Sequence, residues 1–381
     1  MSRFDHDQTM ERLRLAFQEI IAETPIGGCS LAICQDGKQL LSLHAGEASP
    51  GIEWKSSTPC LIWSASKGVA AACTLHALQQ QGISLETPVS ALWPEFGAYG
   101  KESVTLAKLL SHRSGLAAIE PKGLGLPITD HETVSAALAA QPPNWNLNDD
   151  DSNGKFAMHG YGARTFGFLL DEIIRRITGE TLASYWKRVF QDPLDLDLWF
   201  GLPESFLETA ATMIAPKIPP AQGPFSEAFA DPSSLTRRAL SDPGGILTPS
   251  VMNTEAMKRA SIPSLGAIAT ADSLARFYAL LASDGEGFFQ PESLAAMRTT
   301  LTMGPDRVLI DNTSFSSGFM TNDFGVYGLG KGSFGHPGAG GALGFADPEL
   351  GLGFAFIPSA MNPGALPGPR TQKLVRALYD S

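Results

Sequence analysis

Ser64 and Lys67 stand three residues apart in the run LIWSASKGVA, residues 61–70. A lysine among apolar and small residues must find partners or give up its proton, because burial disfavours the charged amine. A neutral amine is a base. On a helix, residues i and i+3 share one face, so Lys67 would be held beside the Ser64 hydroxyl. At a helix start the backbone N–H groups, that of Ser64 included, are free and favour negative charge. Hydroxyl, amine and free amide are the parts of an acylatable nucleophile. Ser66 has no lysine three residues on, so the pairing singles out Ser64. On spacing alone a plain helix cap accounts for the serine equally well.

Two further stretches offer partners. In MHGYGARTFG, Tyr161 stands in a Gly-rich turn just before a helix, after the polar loop NWNLNDDDSNGK. A tyrosine there is either a packed aromatic or a phenol that shuttles the serine proton. In FGHPGAGGALGFADPELGLGFAF, His336, Pro337 and Gly338 lead into a glycine cluster. Such density lets backbone approach a ligand closely, and makes the amide of Ala339 a candidate second oxyanion donor. Trp145 is either a pocket wall or a buried structural indole.

These residues need elements to hold them. Cys29–Cys34 and Lys38–Leu43 read as strands joined at Asp36-Gly37, a type I′ hairpin signal. GVAAACTLHALQQQG reads as the helix carrying Ser64 and Lys67, closed by Gly82. VTLAKLLSHRSGL is a short helix running into a turn at Ser114-Gly115. TFGFLLDEIIRRITG is an amphipathic helix with Phe166, Leu169, Leu170, Ile173, Ile174 and Ile177 on one face and Gly179 as its stop. TLASYWKRVF follows as another helix. The Pro-rich stretch 203–249 shows little periodicity and reads as loop. Thr270 caps a helix that stops at Gly285. FGVYGLG, GALGFAD and LGLGFAFIP read as strands, the last two joined at Asp347-Pro348, and RTQKLVRALYD as a terminal helix. Strands at both chain ends with helices between predict an α+β protein: a sheet domain from residues 1–84 and 266–381, and a mostly helical domain over 85–265.

The chain has 381 residues, 43% of them hydrophobic and 18% charged, which is ordinary globular composition. Its net charge of -11, with no basic cluster, excludes a nucleic-acid binder. No apolar run is long enough to span a bilayer. Met10, Leu13, Phe17, Ile20 and Ile21 form the stripe of a soluble amphipathic helix rather than a signal core. Cys29, Cys34, Cys60 and Cys73 match no zinc spacing and lie in apolar contexts, so they read as free core thiols. The expectation is a cytoplasmic protein with no membrane and no nucleic-acid partner.

Taken together, the motifs resemble the serine β-lactamase and penicillin-binding-protein superfamily, in particular its family VIII carboxylesterases. SASK resembles the S-x-x-K element. VTLAKLLSHRSGL, GYGARTFGFLLDEIIRRITG and FGHPGAGGALGFADPELGLGFAF resemble the segments that follow it, in the same order, and span most of the chain. The resemblance implies a β-lactamase/transpeptidase-like fold, an antiparallel sheet flanked by helices with a helical insertion and the site between them. It implies Ser64 as nucleophile, Lys67 and Tyr161 sharing the base and acid work, and an oxyanion hole of the Ser64 and Ala339 amides. His336 and Gly338 would border the pocket, with His336 within reach of Tyr161. Neither metal nor organic cofactor is implied.

Two departures bear on substrate. Many relatives carry Y-x-N at the second motif, where this chain has Tyr161-Gly162-Ala163, and K-T-G at the third, where it has His336-Pro337-Gly338. An asparagine would bind an amide side chain, and alanine cannot. A lysine is a permanent cation, and histidine near neutral pH is mostly not. Lys331-Gly332-Ser333 is a decoy for the third motif. No G-x-S-x-G occurs, so an α/β-hydrolase has no nucleophile elbow here. The expected activity is hydrolysis of small carboxylic esters through an acyl-Ser64 intermediate. The alternatives are an acyltransferase or D-amino-acid amidase or peptidase on the same site, a β-lactamase or carboxypeptidase, and a non-catalytic binding protein of this fold. Intact Ser64, Lys67 and Tyr161 speak against the last.

Overall fold

The computed structural model describes residues 6–24, 26–120, 125–147, 158–216 and 223–380. Its centre is an antiparallel sheet assembled from both ends of the chain. From the N-terminal part come β1 (Gly28–Gln35), β2 (Lys38–Ser49) and β3 (Ile52–Glu53). A second, three-stranded sheet is made of β4 (Cys60–Leu61), β5 (Leu198–Phe200) and β6 (Ala267–Ala269), with β6 in the middle. The C-terminal part supplies β7 (Thr302–Pro305), β8 (Asn312–Phe315), β9 (Met320–Thr321), β10 (Phe334–Pro337), β11 (Leu343–Asp347) and β12 (Leu352–Pro358). The large sheet runs β3-β2-β1-β12-β11-β10-β9-β8-β7, so the first strand of the chain pairs with the last, Leu31 opposite Phe356.

Local chemistry explains the hairpin. Asp36 and Gly37 both have positive φ (48° and 69°), as a type I′ turn between twisted strands requires. Because side chains alternate along a strand, the sheet sorts its residues to two faces. Leu31, Ile33, Phe345, Phe354 and Phe356 join Leu13, Phe17 and Ile20 of the helix His6–Glu23 and Leu374 and Leu378 of the helix Pro369–Tyr379. The opposite face carries the small Ala32, Ala346 and Ala355, against which the helix Ala271–Ala282 lies. Contact there is so close that a Cβ at Gly353 would fall 2.0 Å from the carbonyl oxygen of Ala275. Glycine is the only residue that fits.

The helices of the middle follow the sequence reading where periodicity is strong. Thr165–Thr178 buries Phe166, Leu169, Leu170, Ile173 and Ile174 and ends at Gly179 in the left-handed conformation, and the Thr270 side chain caps its helix at Ser273. Two expectations are corrected. The stretch 203–249 is not all loop, since Pro224–Ala230 and Leu235–Ser241 are helices. Each has only seven residues, too few for a 3.6-residue period to show. FGVYGLG is not a strand but a series of turns, with Gly325 and Gly328 at positive φ. The strands β7 and β8 lie in TMGP and NTSF, too short and polar to stand out. All four cysteines are free and buried. Among the described residues no helix is long and apolar enough to cross a membrane.

Candidate active site

Ser64 lies in a single 3-10 turn, Trp63–Ala65, that runs directly into the helix Ser66–Gln80. Trp63 enters this turn at φ 49°, a region uncommon for a bulky residue that costs on the order of 1–3 kcal/mol. Ser66 braces the turn: its hydroxyl donates to the Trp63 carbonyl (2.5 Å) and accepts from the N–H of Ala267 in β6 (3.0 Å). The N–H of Ile62 in turn donates to the Ala267 carbonyl (3.0 Å). The nucleophile candidate therefore stands on a turn held by the small sheet, half-exposed, above a fully buried Lys67.

Lys67 reaches three oxygens. Its Nζ lies 2.7 Å from the carbonyl of Ala163, 2.8 Å from that of Ser264 and 3.4 Å from Ser64 Oγ. Burial drives its pKa well below the ordinary value, and the nearby Arg164 guanidinium adds to this. A neutral amine has two N–H bonds and one lone pair. Two carbonyls, which only accept, take both N–H bonds and leave the lone pair for the serine side.

Tyr161 packs over the same amine, which sits 4.8 Å from its ring centre. Its ring stacks on His336 (centroids 5.8 Å apart) and Phe315 (6.1 Å) and lies 5.2 Å from His112. Burial pushes the phenol pKa up, and a hydrogen bond with the Ser64 side chain works against that shift. The backbone of the turn is fastened bond by bond. Gly160 N–H donates to the His112 carbonyl, Tyr161 N–H to Asp306 Oδ1 and Gly162 N–H to His112 Nδ1. With Nδ1 accepting, the neutral His112 ring carries its proton on Nε2.

His336, fully buried on β10, donates from Nδ1 to the Pro337 carbonyl (2.7 Å). Its pKa falls to about 3, through burial first and Lys67 second, with the Pro337 bond working in the other direction. The ring is neutral at pH 7, with a bare Nε2 that has no hydrogen-bond partner among the described residues. Beyond it, a Cβ on Gly338 would lie 2.2 Å from the Ile62 carbonyl, so only glycine lets β10 close against the segment entering the Ser64 turn. Ala339 opens the next 3-10 turn, partly exposed.

Ser64, Lys67, Tyr161 and His336 are thus gathered at one point, with Gly338 and Ala339 beside it. Trp145 is set differently. It is buried beneath Gly160, with the Arg307 guanidinium 5.8 Å from its ring centre. Residues 148–155 of the polar loop after it lie outside the described residues. Sequence reasoning gave no role to Ser264, which acts through a backbone carbonyl and so leaves no side-chain signal. It also missed Asp306, whose signal was only the turn-forming pair Pro305-Asp306. Among the described residues no three His, Cys, Asp or Glu side chains converge as metal ligands would.

A serine hydroxyl beside a buried amine, faced by a tyrosine turn and by β10, is an arrangement that can carry serine acyl transfer. The family model described as Beta-lactamase matches residues 13–377, and the chain belongs to that family. It is 31% identical over 355 residues to the esterase/β-lactamase LipL of Mycobacterium tuberculosis (strain ATCC 25618 / H37Rv), covering 90% of this chain and 79% of LipL. Among solved structures it is similar to a penicillin-binding-protein homologue from Caulobacter crescentus (28% identity, TM-score 0.86, 97% of both chains). It is also similar to a family VIII carboxylesterase (27%, 0.84, 97% of both) and to EstA from Arthrobacter nitroguajacolicus Rue61a (29%, 0.83, 97% of this chain and 95% of EstA). The superfamily resemblance and the α+β architecture expected from the sequence both hold.

Proposed function

We propose that the protein is a carboxylesterase that cleaves small esters through an acyl-Ser64 intermediate. The observation that carries this reading is the fully buried Lys67 amine, 2.7 and 2.8 Å from two carbonyls and 3.4 Å from Ser64 Oγ, where burial favours its neutral form. In this scheme Lys67 takes the Ser64 proton as Oγ attacks the ester carbonyl. The amides of Ser64 and Ala339 hold the oxyanion, and Tyr161, a protonated phenol, passes a proton to the leaving alkoxide. Water then attacks the acyl-enzyme by the reverse proton path and releases the acid.

Two features favour neutral esters over β-lactams. The third motif presents a neutral His336 where a cation would meet a substrate carboxylate, and Ala163 offers a methyl where an asparagine amide would stand. LipL, named as both esterase and β-lactamase, makes β-lactam hydrolysis the second reading. The test compares kcat/KM for p-nitrophenyl butyrate and nitrocefin in the unmodified enzyme. The esterase reading expects the ester to win by at least about 10²-fold, since each missing hydrogen bond is worth about 1–3 kcal/mol. Nitrocefin turnover equal to or above ester turnover overturns it.

A further inference from the structure

Asp306 lies outside every motif of the site, at the end of β7, yet it is buried and bonded to the backbone of Tyr161. Its Oδ1 accepts three N–H groups, those of Tyr161 (3.1 Å), Val308 (2.7 Å) and Leu309 (3.0 Å). Its Oδ2 accepts from the Thr313 hydroxyl (3.1 Å) on β8, and His159 Nε2 stands 3.7 Å away. Around it, Arg307 N–H donates to the His159 carbonyl (3.1 Å), and His159 and Asp306 form an isolated parallel bridge. The loop 306–311 is thereby stitched to residues 159–161, and through them to Ala163, whose carbonyl holds Lys67.

We infer that Asp306 is a positioning residue, which fixes the Tyr161 backbone to the sheet edge and so sets the place of the phenol over Lys67 and Ser64. This rests on the catalytic role given above to Tyr161. The donor set explains why a carboxylate is used. Three N–H groups and a hydroxyl point at one side chain, which an acceptor-only group satisfies without conflict, and bonds to a charged acceptor are roughly twice as strong as neutral ones. Without this anchor the turn keeps its bonds to His112 but loses the one at residue 161 itself. A misplacement of about 1 Å is enough to cost about 10²-fold in rate.

The test is a mutant cycle on ester hydrolysis. Asp306→Ala is expected to lower kcat by about 10²-fold with KM changed less than about threefold, the signature of a misplaced reacting group rather than a lost substrate contact. In a Tyr161→Phe background the same substitution is expected to have almost no further effect, because the group it positions is gone. A purely structural role would cost kcat in both backgrounds, and that result overturns the proposal. Asp306→Asn keeps the Oδ1 acceptor and the shape but weakens its bonds and turns an N–H toward the Thr313 hydroxyl, so it is expected to lose part of the kcat that Asp306→Ala loses. A loss in Asp306→Asn that persists undiminished in the Tyr161→Phe background overturns the proposal even where Asp306→Ala fails to fold. Tyr161→Phe measured alone separates the two readings. A parent-like kcat there overturns the role of Tyr161, whereas a slow Tyr161→Phe with additive Asp306→Ala overturns only that of Asp306.

Discussion

Lys67 and Ala163 are 96 positions apart in the chain, and the amine of one lies 2.7 Å from the carbonyl of the other. That contact joins the first motif to the second. The backbone of residue 163 orients Lys67, the proposed base, while its side chain is only a methyl.

Removing the base or the phenol should leave a folded, slow enzyme. Lys67→Ala and Tyr161→Phe are each expected to lower kcat by at least about 10²-fold, the usual scale for positioned acid–base groups. The double variant should be little slower than the worse single one, because both serve one proton path. Steady-state kinetics with p-nitrophenyl butyrate check this.

Ser66 should matter to stability and not to chemistry. Its hydroxyl bonds Trp63 and Ala267 and makes no contact with Lys67. Ser66→Ala leaves the buried Ala267 N–H unpaired, which costs about 1–3 kcal/mol. Thermal melting should show a lower Tm, while the folded enzyme keeps kcat within a few-fold of the parent. Loss of turnover on the scale of Ser64→Ala would mean that the wrong serine has been chosen.

Acid should destabilise the fold. His336 falls from 6.5 to about 3 and His112 is lowered well below 6.5. Between its folded and unfolded values each histidine binds fewer protons folded than unfolded, so stability rises with pH across that window. It is full above the unfolded value and is lost as pH falls from 6.5 toward about 3. At about pH 5 the neutral buried ring of His336 costs about 2 kcal/mol, and His112 adds in the same direction. Urea unfolding should therefore show stability dropping between about pH 7 and about pH 5, and His336→Gln should flatten that slope by about 1 kcal/mol per pH unit.

Substrate preference should be movable. Ala163→Asn with His336→Lys restores an amide and a cation at the two departing positions. The ratio of nitrocefin to ester kcat/KM is expected to rise by at least about tenfold over the parent. A protonated amine at 336, where the fully buried His336 now lies close to Lys67, would lower the basicity of Lys67 further, so ester turnover should fall in the same variant.

What could be read from the sequence was what acts through side chains at short range or with strong period. Ser64 and Lys67 are one helical turn apart, and Asp36-Gly37 and Gly179 mark a turn and a helix end that the backbone angles bear out. The helices at 224–230 and 235–241 were too short to announce themselves, and the turns of FGVYGLG imitated a strand in composition alone. Long-range backbone contacts were invisible for a different reason. The carbonyls of Ala163 and Ser264 on Lys67, and Asp306 on the Tyr161 amide, depend on the folded path of the chain and not on residue type.

The acyl-enzyme is tested most directly by labelling with a fluorophosphonate followed by peptide mass spectrometry. A serine is phosphonylated only where a base has activated it. The account predicts one adduct, on Ser64, formed by the parent and absent from Ser64→Ala, with Lys67→Ala labelled far more slowly. An unlabelled Ser64 in a folded parent, or an adduct on another residue that survives Ser64→Ala, would contradict it.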